Sequence, residues 1–133
     1  MVLSCLAVIM AVVLDQEILS FYWQYVEGPS LQNTYGFKAT FLDYRRGVAV
    51  SKELTITGLT PGGPFERAGV SIGDIPFYSI GHGPNRGATG FYSSLKSALP
   101  AKECNMSFVS RADYLAGDWR SHPKRVVVSI EKQ

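Results

Sequence analysis

The chain has 133 residues, 46% of them apolar, with a formal net charge of +2, which fits one globular domain of ordinary size. Its basic residues are dispersed, the densest spots at 44–47 and 122–125 lying in turn-rich sequence, and this excludes the clustered cationic face a nucleic-acid partner needs. The two cysteines, Cys5 and Cys104, are far apart and show no zinc-type spacing with a histidine, so neither a disulfide framework nor a metal or other cofactor is expected.

Residues 2–14, VLSCLAVIMAVVL, carry no charge. As a helix the run would be about 20 Å long, short of the roughly 30 Å of a bilayer core, and no basic residue precedes it as in an export signal. After Asp15–Gln16–Glu17 comes ILSFYWQYV, whose Tyr22, Trp23 and Tyr25 suit a membrane interface. Two readings stay open: an anchor or export segment meeting the membrane through residues 2–26, or a helix packed on its own domain. The first places the protein on a membrane or outside the cytoplasm; the second leaves it soluble and cytoplasmic. EGPSLQN, Glu27 to Asn33, is rich in turn formers and marks a boundary, giving a segment 1–27 and a domain 28–133.

Beyond it TYGFKATFLD reads as a strand, with Phe37, Ala39 and Phe41 alternating against Lys38 and Thr40. DYRRG turns the chain, and VAVSKELTITGL supplies β-branched residues for one or two more strands. LTPGGPFERAGVSIGD then packs a turn, a short helix over Phe65 to Ala68 and a second turn into sixteen positions. Gly63 suits the N-cap, Pro64 the first helical position and Gly69 a left-handed C-terminal residue. IPFYSI is strand-like, with Pro76 favouring an edge. GHGPNRGATG reads as a plain loop, since it lacks the end of a phosphate loop and misses dinucleotide spacing.

FYSSLKSALP places Phe91, Leu95, Ala98 and Leu99 at helical spacing, with Thr89 as cap and Pro100 as stop. CNMSFVSR points Cys104, Met106 and Phe108 inward, DYLAGDWRSHP is a hairpin-like excursion, and RVVVSIEK closes the chain with Val126, Val128 and Ile130 on one face. The fold class expected is α+β, mainly β with two α-helices: a small, partly open antiparallel barrel or sandwich capped by helices.

An enzyme would draw on His82, His122, Cys104, Asp43, Asp74, Asp113 or Asp118. None stands in a strained nucleophile elbow or at paired ligand spacing. Asp74 reads as a turn residue accepting local N–H groups, and Cys104 as a small buried hydrophobe. No enzyme activity is expected.

YGF opening a strand, ITGLTPGGPFERAGVSIGDI, then a strand, an amphipathic helix and two closing strands resembles the PDZ domain family. Pro61, Gly62, Pro64, Ala68, Gly69, Val70, Gly73 and Asp74 fall into that family's spacing, and the likeness runs over residues 34–131. The two-stranded tail is similar to PDZ domains of bacterial export and quality-control proteases. Pro76 and the aromatic run after it depart from the plain aliphatic strand of the family.

The resemblance implies a PDZ-like fold in which 59–74 is scaffold, holding open a groove between an edge strand and the long helix. It implies capture of a protein C-terminal or internal extended peptide by strand addition. Tyr35, Gly36 and Phe37 would form the carboxylate-binding loop, Lys38, Ala39 and Thr40 the pairing strand, and Phe91 and Leu95 the wall of the pocket. Because Phe91 stands where one PDZ class has a histidine, an apolar C-terminal residue is expected, with no hydroxyl preference two positions upstream. The alternative is a membrane-tethered assembly or protease-regulatory subunit that docks a protease or membrane-complex partner without reading a free C-terminus.

Overall fold

The computed structural model describes residues 17–117 and 119–131; the apolar run 2–14, Cys5 and Asp118 lie outside them. Residues 17–35 form one helix, α1, π-helical over Tyr22–Glu27 and α-helical over Gly28–Tyr35. The turn expected at 27–33 is therefore helical. Pro29 has no N–H for the carbonyl one turn back, and its ring crowds that carbonyl. A π-turn just before it widens the spiral and absorbs the conflict. The widened turn brings the Trp23 carbonyl oxygen to 2.5 Å from where a Cβ on residue 28 would sit, so only glycine fits there. Leu31 and Tyr35, one turn apart, then point into the core.

Strands β1 (Phe37–Arg46) and β2 (Ala49–Leu59) form an antiparallel hairpin from Phe37↔Leu59 to Arg46↔Ala49, with an irregularity between Lys38 and Ala39. The stretch that could be one strand or two is one. The glycine-proline segment after β2 folds as its sequence dictates. Gly63 is extended, Pro64 opens helix α2 (Pro64–Ala68), and Gly69 closes it in the left-handed region at φ 97°. Phe65 is fully buried. Gly62 N–H donates to Glu66 Oε1 at 3.0 Å, and Ser71 N–H to Asp74 Oδ2 at 2.9 Å. Gly73 N–H donates to the Ile56 carbonyl and Ile56 N–H to the Asp74 carbonyl, both at 2.8 Å, clamping this segment to β2.

The strand expected over 75–80 shrinks to β3 (Ile75–Pro76), because a 3₁₀ turn, Phe77–Ser79, follows at once; the Ser79 hydroxyl donates back to the Pro76 carbonyl at 2.9 Å. The expected loop at 81–90 is another correction. Helix α3 spans Gly83–Ser97, with Pro84 in its first turn, and so begins well before Thr89. Gly87 and Gly90 within it serve close packing rather than flexibility: a Cβ on Gly87 would lie 3.4 Å from the Ser79 carbonyl oxygen, and one on Gly90 2.8 Å from the Tyr78 ring.

β4 (Glu103–Val109) pairs antiparallel with β3 on one side and with β5 (Lys124–Ser129) on the other. Cys104, Phe108, Val126 and Val128 face inward as expected. Between β4 and β5 the hairpin-like excursion holds helix α4 (Arg111–Ala116), capped by Ser110, whose hydroxyl accepts from Asp113 N–H at 3.1 Å.

The architecture is α+β with two small antiparallel sheets, β1-β2 and β3-β4-β5, which do not close into a barrel. It holds more helix than the two plugs expected, since α1 and α4 are added to α2 and α3. The main core gathers Leu31, Tyr35, Phe37, Phe65, Phe91, Leu95 and their neighbours. A second core gathers Tyr44, Ile75, Ile80, Val109 and Tyr114.

Candidate functional site

β1 is ten residues long and hydrogen-bonded along only one side among the described residues. Ladder geometry fixes which of its backbone groups face the open side. The Gly36 carbonyl accepts from Thr60 N–H at 3.0 Å, so the next residue, Phe37, turns its own N–H and C=O away from β2. Ile56, opposite Ala39, directs both its backbone groups to Gly73 and Asp74, so Ala39 also points its N–H and C=O outward. Phe41 follows by alternation. An extended peptide laid along this edge would find a donor and an acceptor at every second residue.

Gly36 joins α1 to β1. It is left-handed at φ 75°, and its N–H closes α1 on the Gln32 carbonyl at 2.8 Å. A Cβ here would meet Gly63 Cα at 3.2 Å and Pro64 Cδ at 3.3 Å. Gly36 thus sits backbone to backbone on the Thr60–Pro64 turn, which explains physically why that glycine-proline segment stands beside the strand. Since the Gly36 N–H is already bonded, carboxylate capture here would fall to the outward N–H groups that follow it.

Besides Gly36, the seven other residues singled out in the sequence separate into two sets. Tyr35, Phe37, Phe91 and Leu95 come together in the main core. Phe37 stacks on Phe65 with ring centroids 4.4 Å apart and meets Phe91 edge-on at 5.6 Å. Phe91 and Leu95 are 2% and 0% exposed, so in this state they are packing residues, and the space expected for a ligand side chain is filled. Phe37 and Tyr92 pack on Phe91 there, and helix α1 is tied to α3 beside them. The Tyr35 hydroxyl donates to the Leu95 carbonyl at 2.6 Å, Gln32 Nε2 to the Tyr92 hydroxyl at 2.9 Å, and Lys96 Nζ pairs with Glu27 at 2.7 Å. Burial pushes the Tyr35 phenol up to about 12. The second set, Lys38, Ala39 and Thr40, remains accessible: Lys38 and Thr40 are exposed and Ala39 is half-buried. A cleft of about 220 Å³ opens at the start of this strand between Phe37, Lys38, Gly58, Leu59 and Thr60.

A polar cluster in the second core escaped the sequence reading. Glu53 is 4% exposed, with Oε1 accepting from the Tyr114 hydroxyl at 3.2 Å and Oε2 buried without a partner. Burial raises its carboxyl above the ordinary range, against the smaller opposing pull of Tyr114, the Gly81 backbone, Arg46 and His82. The Tyr114 hydroxyl also meets Ser51 Oγ at 2.7 Å, and Tyr44 meets Thr55 at 2.7 Å. The alternating polar and apolar residues of β2 hinted only that Glu53 shares a face with Ser51 and Thr55.

Five of the residues an enzyme would draw on have separate surroundings. His82 stacks on Tyr78 with centroids 5.5 Å apart, Asp43 makes an exposed 3.9 Å pair with Lys52, and Asp113 lies in the first turn of α4. Cys104 is buried, which raises its thiol above the ordinary range and leaves less of the nucleophilic thiolate. Asp74, as expected, accepts from a turn N–H, and it also pairs with Lys124 at 2.5 Å. Among the described residues no three His, Cys, Asp or Glu side chains gather to hold a metal ion, and no helix is long and apolar enough to cross a membrane. Comparisons with family models, with curated proteins and with solved structures found no match.

Proposed function

We propose that this chain is a PDZ-like protein-binding module that takes an extended peptide by strand addition along the open edge of β1. The observation that carries the reading is the hydrogen bonding of a ten-residue strand on one side only among the described residues, with outward backbone groups at Phe37, Ala39 and Phe41. Main-chain pairing supplies affinity in this mode, and neighbouring side chains supply choice. The peptide pairs first along Lys38 to Leu42, against the outward backbone groups of Ala39 and Phe41. Its last side chain reaches the apolar ground between Phe37 and Phe91 only when Tyr35 withdraws from Leu95, so seating a C-terminus is coupled to a small movement of α1 against α3.

The reading is tested by fluorescence anisotropy of labelled C-terminal peptides against the full chain, with each peptide also made as its C-terminal amide. Saturable low-micromolar binding of apolar-ended peptides is expected, weakened by amidation if a carboxylate is captured. Equal binding of free and amidated peptides would move the reading to internal extended segments, and no binding by a folded chain would remove it.

A further inference from the structure

We propose that the outward face of α1 rests on the surface of a lipid bilayer. Between Glu17 and Glu27 the helix carries no charged residue, and its side chains divide sharply. Ser20 is buried, Gln24 donates to it at 2.7 Å, and Trp23 turns inward beneath Lys96, whose Nζ lies 5.7 Å from the indole centroid. Ile18, Phe21, Tyr25 and Val26, by contrast, are 57–66% exposed, and Tyr22 and Leu19 stand beside them in solvent. These positions recur at three- and four-residue intervals, so they form one stripe, within which the Phe21 and Tyr25 rings lie 4.9 Å apart. An apolar stripe this continuous on a water-facing helix marks a contact surface.

Three observations select lipid over a second protein. The stripe begins at Ile18, three residues separating it from the uncharged run 2–14. It mixes aliphatic residues with amphipathic rings, the composition of helices lying at the headgroup boundary. Beside Leu19 a cavity of about 450 Å³ is walled by His82, Asn85, Arg86 and Thr89 with no carboxylate among its lining residues, and such donors suit lipid phosphates. This surface is independent of the β1 edge, so either reading can fail alone.

The test uses the full chain with Cys5→Ser and Cys104→Ala, carrying a nitroxide at Tyr25→Cys, at Ile18→Cys, or at Val48→Cys in the turn between β1 and β2. Each is mixed with vesicles of phosphatidylcholine and phosphatidylglycerol, and access of the label to a water-soluble paramagnetic relaxant is measured. Several-fold lower access at 18 and 25 than at 48, appearing only with vesicles, is the expected result. Equal access at all three positions overturns the proposal. Lipid-independent broadening between labels at 25 overturns it in favour of a second copy of the chain as the occupant.

Discussion

The Tyr35 hydroxyl reaches the Leu95 carbonyl at 2.6 Å across 60 positions of sequence. That carbonyl lies in the last turn of α3, and the residue one turn on, Leu99, gives its N–H to Lys96 instead. Tyr35 thereby supplies the end of α3 with the partner the helix cannot. It also ties together the corner where α1, β1 and α3 meet, beside the open strand edge.

Tyr35→Phe keeps the ring in the core and removes only the donor. A buried carbonyl left unpaired costs about 1–3 kcal/mol, so the urea midpoint falls by a matching amount with an unchanged slope.

Gly36 and Gly47 are both left-handed, at φ 75° and 63°, but a Cβ on Gly47 meets nothing within 4 Å. Gly47→Ala is expected to cost about 1–2 kcal/mol, the backbone penalty alone. Gly36→Ala adds the collision with Gly63 and Pro64 and costs more. Denaturation of the two variants side by side separates conformational strain from close approach.

A similar contrast applies within helices. Alanine is favoured over glycine there by about 1 kcal/mol, yet Gly28→Ala is expected to destabilise, because the atom in its way is the Trp23 backbone carbonyl. Gly90→Ala meets only the ring of Tyr78, which is 68% exposed and can turn aside at the loss of its stacking on His82. Its thermal midpoint should hold or rise while that of Gly28→Ala drops.

Glu53 makes stability depend on pH. Its folded-state carboxyl is raised by burial, so the unfolded chain loses this proton first as pH rises. The stability Glu53 provides is complete below its unfolded pKa and is lost as pH climbs through the higher folded one. Glu53→Gln, neutral throughout, should flatten this part of the stability–pH profile and be more stable than the parent above that window. Parallel profiles for parent and variant would contradict the assignment.

Much of the scaffold was legible because local chemistry dictates it. Gly63, Pro64 and Gly69 each fill a position that few other residues can, and α2 formed where they place it. The alternation of Cys104, Phe108, Val126 and Val128 likewise fixed which faces of β4 and β5 turn inward. The misses have tertiary causes. Gly28–Pro29 signals a turn only if the helix cannot widen, and here a π-turn let it continue. Gly87 and Gly90 signal a loop only if nothing presses on them, and Ser79 and Tyr78 do. Helix α4 was signalled by Ser110 and Asp113 at capping spacing, a cue masked by the glycine and proline that follow. For the candidate site, alternation identified the strand and helical spacing the helix, while only the family resemblance set Phe37, Phe91 and Leu95 about one groove. None of these could reveal that α1 folds back onto the Leu95 end of α3, because that contact joins residues 60 positions apart.

On the proposed reading, β1 pairs with a peptide through its open edge. Amide NMR of the full chain, titrated with an apolar-ended peptide, tests it most directly, with Ala39→Pro as the paired variant, since that change deletes an outward N–H and leaves the β1–β2 ladder bonds in place. Saturable shifts at Phe37, Ala39 and Phe41, lost in the variant, are the predicted result. Shifts confined to other elements, or none from a folded chain, would contradict the account.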